Sequence, residues 1–104
     1  MVAVAGAAHA TKRVALVIGN SAYQNATPLV NPLNDATDIA ERLRGLQFDV
    51  VEGIDLDMDR MRSTVRDFIR RTEGADVAVL FYAGHGLQVS GTNYLAPVDA
   101  SLES

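Results

Sequence analysis

The chain alternates short, continuously apolar runs with longer segments in which apolar residues recur every three or four positions. Val14-Ala15-Leu16-Val17-Ile18 is the clearest run, with Lys12 and Arg13 before it and Gly19-Asn20-Ser21 after it. Its length and β-branched content predict a strand buried on both faces. Phe48, Val50 and Val51 predict a second strand, and Val77 to Tyr82 a third. Between the first two strands, Ala36, Ile39, Ala40, Leu43 and Leu46 follow helical spacing, with Asn34 or Asp35 as N-cap and Gly45 at the end. Gln24 to Pro32 reads as a polar loop in which Pro28 and Pro32 discourage helix. Between the second and third strands, Met58, Met61, Val65, Phe68 and Ile69 predict another helix, capped by Asp57 or Asp59 and closed by Gly74. Leu87 to Val89 and Tyr94 to Ala96 flank Ser90-Gly91-Thr92-Asn93 as a hairpin.

This β-α-β-α-β-hairpin order belongs to an α/β fold with a mostly parallel sheet covered by helices. Right-handed crossovers favour the strand order 2-1-3. Ligands of such sheets bind beyond the carboxyl ends of the strands, where the order reverses. That point collects Gly19 and Asn20 from the first strand and Gly84, His85 and Gly86 from the third.

Composition narrows the chemistry. A chain of 104 residues, 48% hydrophobic and 21% charged, suits one globular domain with one modest core. A net charge of −4 argues against a general nucleic-acid binder. The sequence has no cysteine and only two histidines, His9 and His85, which disfavours disulfides, thiolate metal sites and a zinc centre. No run reaches the roughly 18 apolar residues of a membrane span. Residues 1–11 read as a leader or signal-peptide remnant, because Ala8-His9-Ala10 has the small-x-small form of a cleavage site after a short apolar stretch. A signal-peptide tail would place the protein in the periplasm or outside the cell; otherwise it would be cytoplasmic.

Tyr82-Ala83-Gly84-His85-Gly86 carries the strongest chemical signal. An imidazole titrates near working pH, as a general base or acid requires. The flanking glycines allow unusual backbone angles and close approach, and the Gly86 N–H could face an oxyanion. Other constellations are weaker. Asp55-Leu56-Asp57-Met58-Asp59 opens like a calcium loop but has Arg60 and Arg66 where such loops need glycine and glutamate. Capping explains these aspartates better. Arg60, Arg62, Arg66, Arg70 and Arg71 read as a solvated helix face. Gly19-Asn20-Ser21 lacks the spacing of a dinucleotide or phosphate loop. Asp35 and Asp38 serve most simply as cap and dipole residues, with Asp35 a candidate wall of a pocket for a basic side chain.

Three ordered segments resemble the caspase-like cysteine peptidases, and most closely their bacterial metacaspase or orthocaspase branch. They are Lys12 to Tyr23, Leu33-Asn34-Asp35-Ala36, and Phe81 to Gln88, with Asn93 to Asp99 fitting the hairpin after the histidine. The resemblance implies a caspase-like three-layer αβα sandwich, with residues 12–104 forming part of the catalytic domain. It makes His85 the catalytic histidine, Gly86 N–H an oxyanion donor and Asp35 an S1 residue for cleavage after arginine or lysine. It implies peptide or protein substrates and no cofactor; calcium activation occurs in the family but has no support in these residues. Family members carry the nucleophile in an Asp-x-Cys segment roughly 50 residues after the histidine. That cysteine is absent from this sequence, so the chain is expected to be inactive alone and to need a carboxyl-terminal half that supplies the thiol. The alternative is a non-catalytic caspase-like module. Without the nucleophile strand, the third strand should be an exposed sheet edge, through which the chain would dimerise or bind a partner.

Overall fold

Val14–Ile18 occupies the middle of the sheet, and none of its side chains is more than 2% exposed. The computed structural model describes residues 2–5, 12–25, 29 and 31–100. Its strands are β1 (Val2–Ala5), β2 (Arg13–Gly19), β3 (Asp49–Ile54), β4 (Val77–Ala83), β5 (Gly86–Val89) and β6 (Thr92–Leu95); its helices are α1 (Pro32–Gly45) and α2 (Met58–Arg71). The main sheet has the order β1-β4-β2-β3. β2 runs parallel to both β3 and β4, so the three strands expected from sequence stand in the expected order. Pairing on both sides satisfies the β2 backbone, which lets an uninterrupted apolar run sit where water cannot reach.

The side chains of β2 alternate between two cores. Leu16 and Ile18 join Val51, Leu56, Met61 and Tyr82 beneath α2, with Val65 and Phe68 packed alongside. Val17 joins Ala36, Ala40, Phe81 and Ala83 beneath α1. One helix on each face makes the three layers of an αβα sandwich. The register pairs Gly19 with both Ile54 and Ala83, so the carboxyl ends of all three parallel strands finish at one level.

Several local expectations shift. α1 begins at Pro32, ahead of the expected caps Asn34 and Asp35, and Asn31 precedes it without a side-chain cap. Proline is well suited to the first turn, where no intrahelical partner awaits its missing N–H. α1 does end at Gly45, as expected, and it is Gln47 beyond it that takes the left-handed conformation at φ 68°. α2 starts as expected: Asp57 accepts a hydrogen bond from the Arg60 N–H at 2.8 Å. Ser90 and Gly91, at φ 51° and 81°, form the two-residue turn between β5 and β6. No helix among the described residues is long and apolar enough to cross a membrane.

The expected open edge of β4 is occupied. Val2–Ala5, read from sequence as part of a leader, pairs antiparallel with Val79–Tyr82. An apolar strand edge carries unsatisfied N–H and C=O groups, and a Val-Ala-Val-Ala segment can pair with them. The edge on which the dimerising alternative depended is therefore covered over these four residues. His9 and the rest of the small-x-small motif lie outside the described residues.

Candidate active site

At the end of β2 the ladder continues for one more residue, with the Asn20 N–H donating to the Ala83 carbonyl at 2.9 Å. The Asn20 side chain is completely buried. Its Oδ1 accepts from the Leu56 N–H at 2.9 Å, and its Nδ2 donates to the Ala96 carbonyl at 3.1 Å. One amide thus ties the β3–α2 connection to the segment after β6. A buried polar group is stable only when so paired.

The next residues are clasped from the same side. Asp55 Oδ1 accepts from the Ser21 N–H at 2.8 Å, the Ser21 hydroxyl at 3.2 Å and the Ala22 N–H at 3.0 Å. Burial alone would raise the Asp55 pKa, but the bonds from Ala22 and Ser21 outweigh it and hold the carboxyl below its ordinary range. The three aspartates suspected of forming a calcium loop have separable places. Asp55 holds the Ser21–Ala22 turn, Asp57 caps α2, and Asp59 lies in the first turn of α2. Among the described residues, no cluster of three or more His, Asp or Glu forms a metal-ligand set.

The clasped turn delivers Tyr23, which is 5% exposed, against His85. The His85 N–H donates to the Tyr23 hydroxyl at 2.7 Å, and the two rings meet edge-on with centroids 4.5 Å apart. Tyr82, from β4, donates to the His85 carbonyl at 2.6 Å. The two phenolic oxygens are 3.2 Å apart, and the Ala96 N–H also donates to the His85 carbonyl at 3.1 Å. His85 is only partly buried, so the imidazole stands at the mouth of a site whose backbone is tightly held.

The two glycines beside it differ. Neither has a positive φ. A Cβ on Gly84 would lie 2.6 Å from both tyrosine hydroxyls, whereas one on Gly86 would meet nothing nearer than the Tyr94 carbonyl at 3.6 Å. Gly84 is required by the hydroxyls packed beneath it, not by an unusual backbone angle. Gly86 pairs with Leu95, and the adjacent bond from Ala96 to His85 makes this the non-hydrogen-bonded step of the hairpin. The Gly86 N–H therefore points away from β6.

Asp35 is exposed on the first turn of α1. It lines a recess of about 270 Å³ with Asp38, Ile39, Arg42 and Phe81, at the carboxyl end of the sheet on the α1 face. His85 is not part of that recess. Arg42 also lines it, beside the two aspartates.

Residues 12–104 match the Caspase domain family. The chain belongs to the caspase-domain family. Within this caspase-domain chain, 91 residues are 38% identical to the human mucosa-associated lymphoid tissue lymphoma translocation protein 1, and 37% identical to its mouse homolog. These matches cover 88% of the chain but span only 11% of each relative's length. Both relatives are mammalian; they support the caspase-like protease family and not its bacterial metacaspase branch.

Sequence reasoning placed Asn20 at the strand switch point and weighed Asp55 as a calcium-loop or cap residue, but gave neither its observed role and did not single out Tyr23. Asn20 and Asp55 looked like ordinary turn and cap residues, and the partners of all three are more than thirty positions away.

Proposed function

We propose that this chain is the histidine-bearing part of a caspase-like cysteine endopeptidase, with the nucleophilic thiol supplied by polypeptide outside these 104 residues. The carrying observation is the placement of His85. A partly exposed imidazole, backbone-anchored at the carboxyl end of a parallel sheet, lies within a segment matching the Caspase domain. In this reading, the imidazole takes the proton from Sγ as the thiolate attacks the scissile carbonyl, then returns it to the leaving amine. Water hydrolyses the resulting thioester. The Gly86 N–H faces the oxyanion, supported by its orientation away from β6. Asp35 receives an arginine or lysine side chain, supported by its acidic recess. That basic preference, and the metacaspase branch associated with it, rest on the motif resemblance.

The test uses the longer protein containing the Asp-x-Cys segment and fluorogenic peptides ending in arginine, lysine or leucine. His85→Ala should lower kcat by about 10²–10⁴-fold. Activity surviving that change would remove His85 as the base. Asp35→Asn should reduce kcat/KM for the basic peptides by about ten- to a hundredfold and spare the leucine peptide, because a charge-assisted bond contributes roughly 1.5–3 kcal/mol. Equal losses for all three peptides would defeat the S1 assignment. The 104-residue chain alone should hydrolyse none of them by a thiol route.

A further inference from the structure

We propose that the hydroxyls of Tyr23 and Tyr82 are positioning groups for His85, closing a ring of hydrogen bonds through both main-chain groups of that residue. The His85 N–H donates to Tyr23 at 2.7 Å, and Tyr82 donates to the His85 carbonyl at 2.6 Å. Each phenol has a single proton. Because the Tyr82 proton is committed to His85, a hydrogen bond across the 3.2 Å between the phenols takes the Tyr23 proton, for which the Ala96 carbonyl at 3.3 Å competes. The path then runs from the His85 N–H to Tyr23, on to Tyr82 and back to the His85 carbonyl. Holding both the amide and the carbonyl of one residue fixes the torsions on either side of its Cα, and so the direction of its Cα–Cβ bond. The Tyr23 ring, 4.5 Å from the imidazole at an interplanar angle of 61°, then limits how the side chain turns.

The ring is built from distant parts of the chain. Tyr23 arrives on the turn that Asp55 holds through Ser21 and Ala22. Tyr82 arrives on β4 and is 2% exposed. Both phenols also lie within hydrogen-bond reach of the Ala96 carbonyl, which Asn20 fixes from the other side. Burial and the neighbouring Tyr23 push the Tyr82 hydroxyl pKa upward, so it remains a donor at every working pH. The rings alone would fill the same core volume as phenylalanines. The hydroxyls add bonds directed at the histidine, and Gly84 is the residue that leaves room for them.

The test is Tyr23→Phe and Tyr82→Phe in the 104-residue chain, read by amide hydrogen exchange and by the His85 ring-proton resonances. Losing one net hydrogen bond should speed exchange at the His85 amide by about two- to tenfold. Amides of Val14–Ile18 should be unchanged, and the His85 ring resonances should move in both variants. Unchanged His85 signals in Tyr23→Phe, or one uniform factor at every amide, would overturn the proposal. Should Tyr82→Phe not fold, Tyr23→Phe decides the matter by the same signals. The final arm rests on the protease reading: in the longer, thiol-bearing protein, both variants should lower kcat with KM unchanged. Wild-type kcat in both would overturn the positioning role. A wild-type protein that cleaves no peptide would defeat the protease reading and leave the exchange result standing.

Discussion

Gly84→Ala is the sharpest probe of the site's packing. The added Cβ would sit 2.6 Å from the Tyr23 and Tyr82 hydroxyls, and ordinary contact begins near 3.4 Å, so each oxygen must retreat by about 0.8 Å. Such a shift carries the 2.7 Å bond between His85 and Tyr23 to the limit of hydrogen-bond geometry. Overpacking of this kind costs about 1–3 kcal/mol. Two weakened bonds add about 1 kcal/mol each. Reduced freedom of the unfolded chain returns about 0.4–1 kcal/mol. The net expectation is destabilisation by about 3 kcal/mol, or a fall in Tm of at least about 10 °C for a domain of this size. Gly86→Ala is the control, with its Cβ in open contact at 3.6 Å and an expected change within about 0.5 kcal/mol. Chemical denaturation followed by circular dichroism measures both. Tyr82→Phe in the Gly84→Ala background should cost less than the sum of the single changes, because one obstructing oxygen is gone. Equal stability of the two glycine variants, or strict additivity in the double variant, would refute the reasoning.

Other perturbations test the surrounding frame. Asn20→Ala removes the partner of the Leu56 N–H and one donor to the Ala96 carbonyl, and should destabilise by about 2–4 kcal/mol in urea titrations. Asp57→Ala removes the α2 N-cap and should cost about 1 kcal/mol in the same assay. The Asp55 carboxyl is held below its unfolded pKa, so its stabilising contribution is complete above the unfolded value of about 4 and is lost as pH falls through the folded value. Stability measured from pH 6 down to 3 should fall less steeply in Asp55→Asn than in the wild-type chain; identical slopes would remove Asp55 from the acid response. Gly19→Ala would bring a Cβ within 2.7 Å of the Pro32 carbonyl and the Ala36 Cβ, and should separate α1 from the sheet at a cost of about 1–3 kcal/mol or more.

Much of this protein is legible in its linear pattern. Val14–Ile18 reads as a strand enclosed on both faces, and the stripes through Ala36–Leu43 and Met61–Phe68 read as helices covering it. Those elements, right-handed crossovers and the position of His85 after the third strand are sufficient to place the imidazole at the carboxyl edge. Boundaries were less legible. Pro32 breaks a helix in its interior but starts one at its first turn, and only the packed geometry distinguishes the two.

What the sequence determined by itself was local: strand and helix periodicity, an aspartate cap at Asp57 or Asp59, a hairpin turn within Ser90-Gly91-Thr92-Asn93 and a histidine between glycines. Only the tertiary structure decided which groups hold that histidine. Tyr23 lies 62 positions from His85, and Asp55 lies 33 or 34 positions from the backbone groups it clasps. Such bonds depend on where strands stop and how loops cross, and no periodicity records that. The same holds for the glycines, which look equivalent in Gly84-His85-Gly86. Tertiary packing separates them, because two phenols crowd a Cβ at the first, whereas one at the second would make only ordinary contact with the Tyr94 carbonyl.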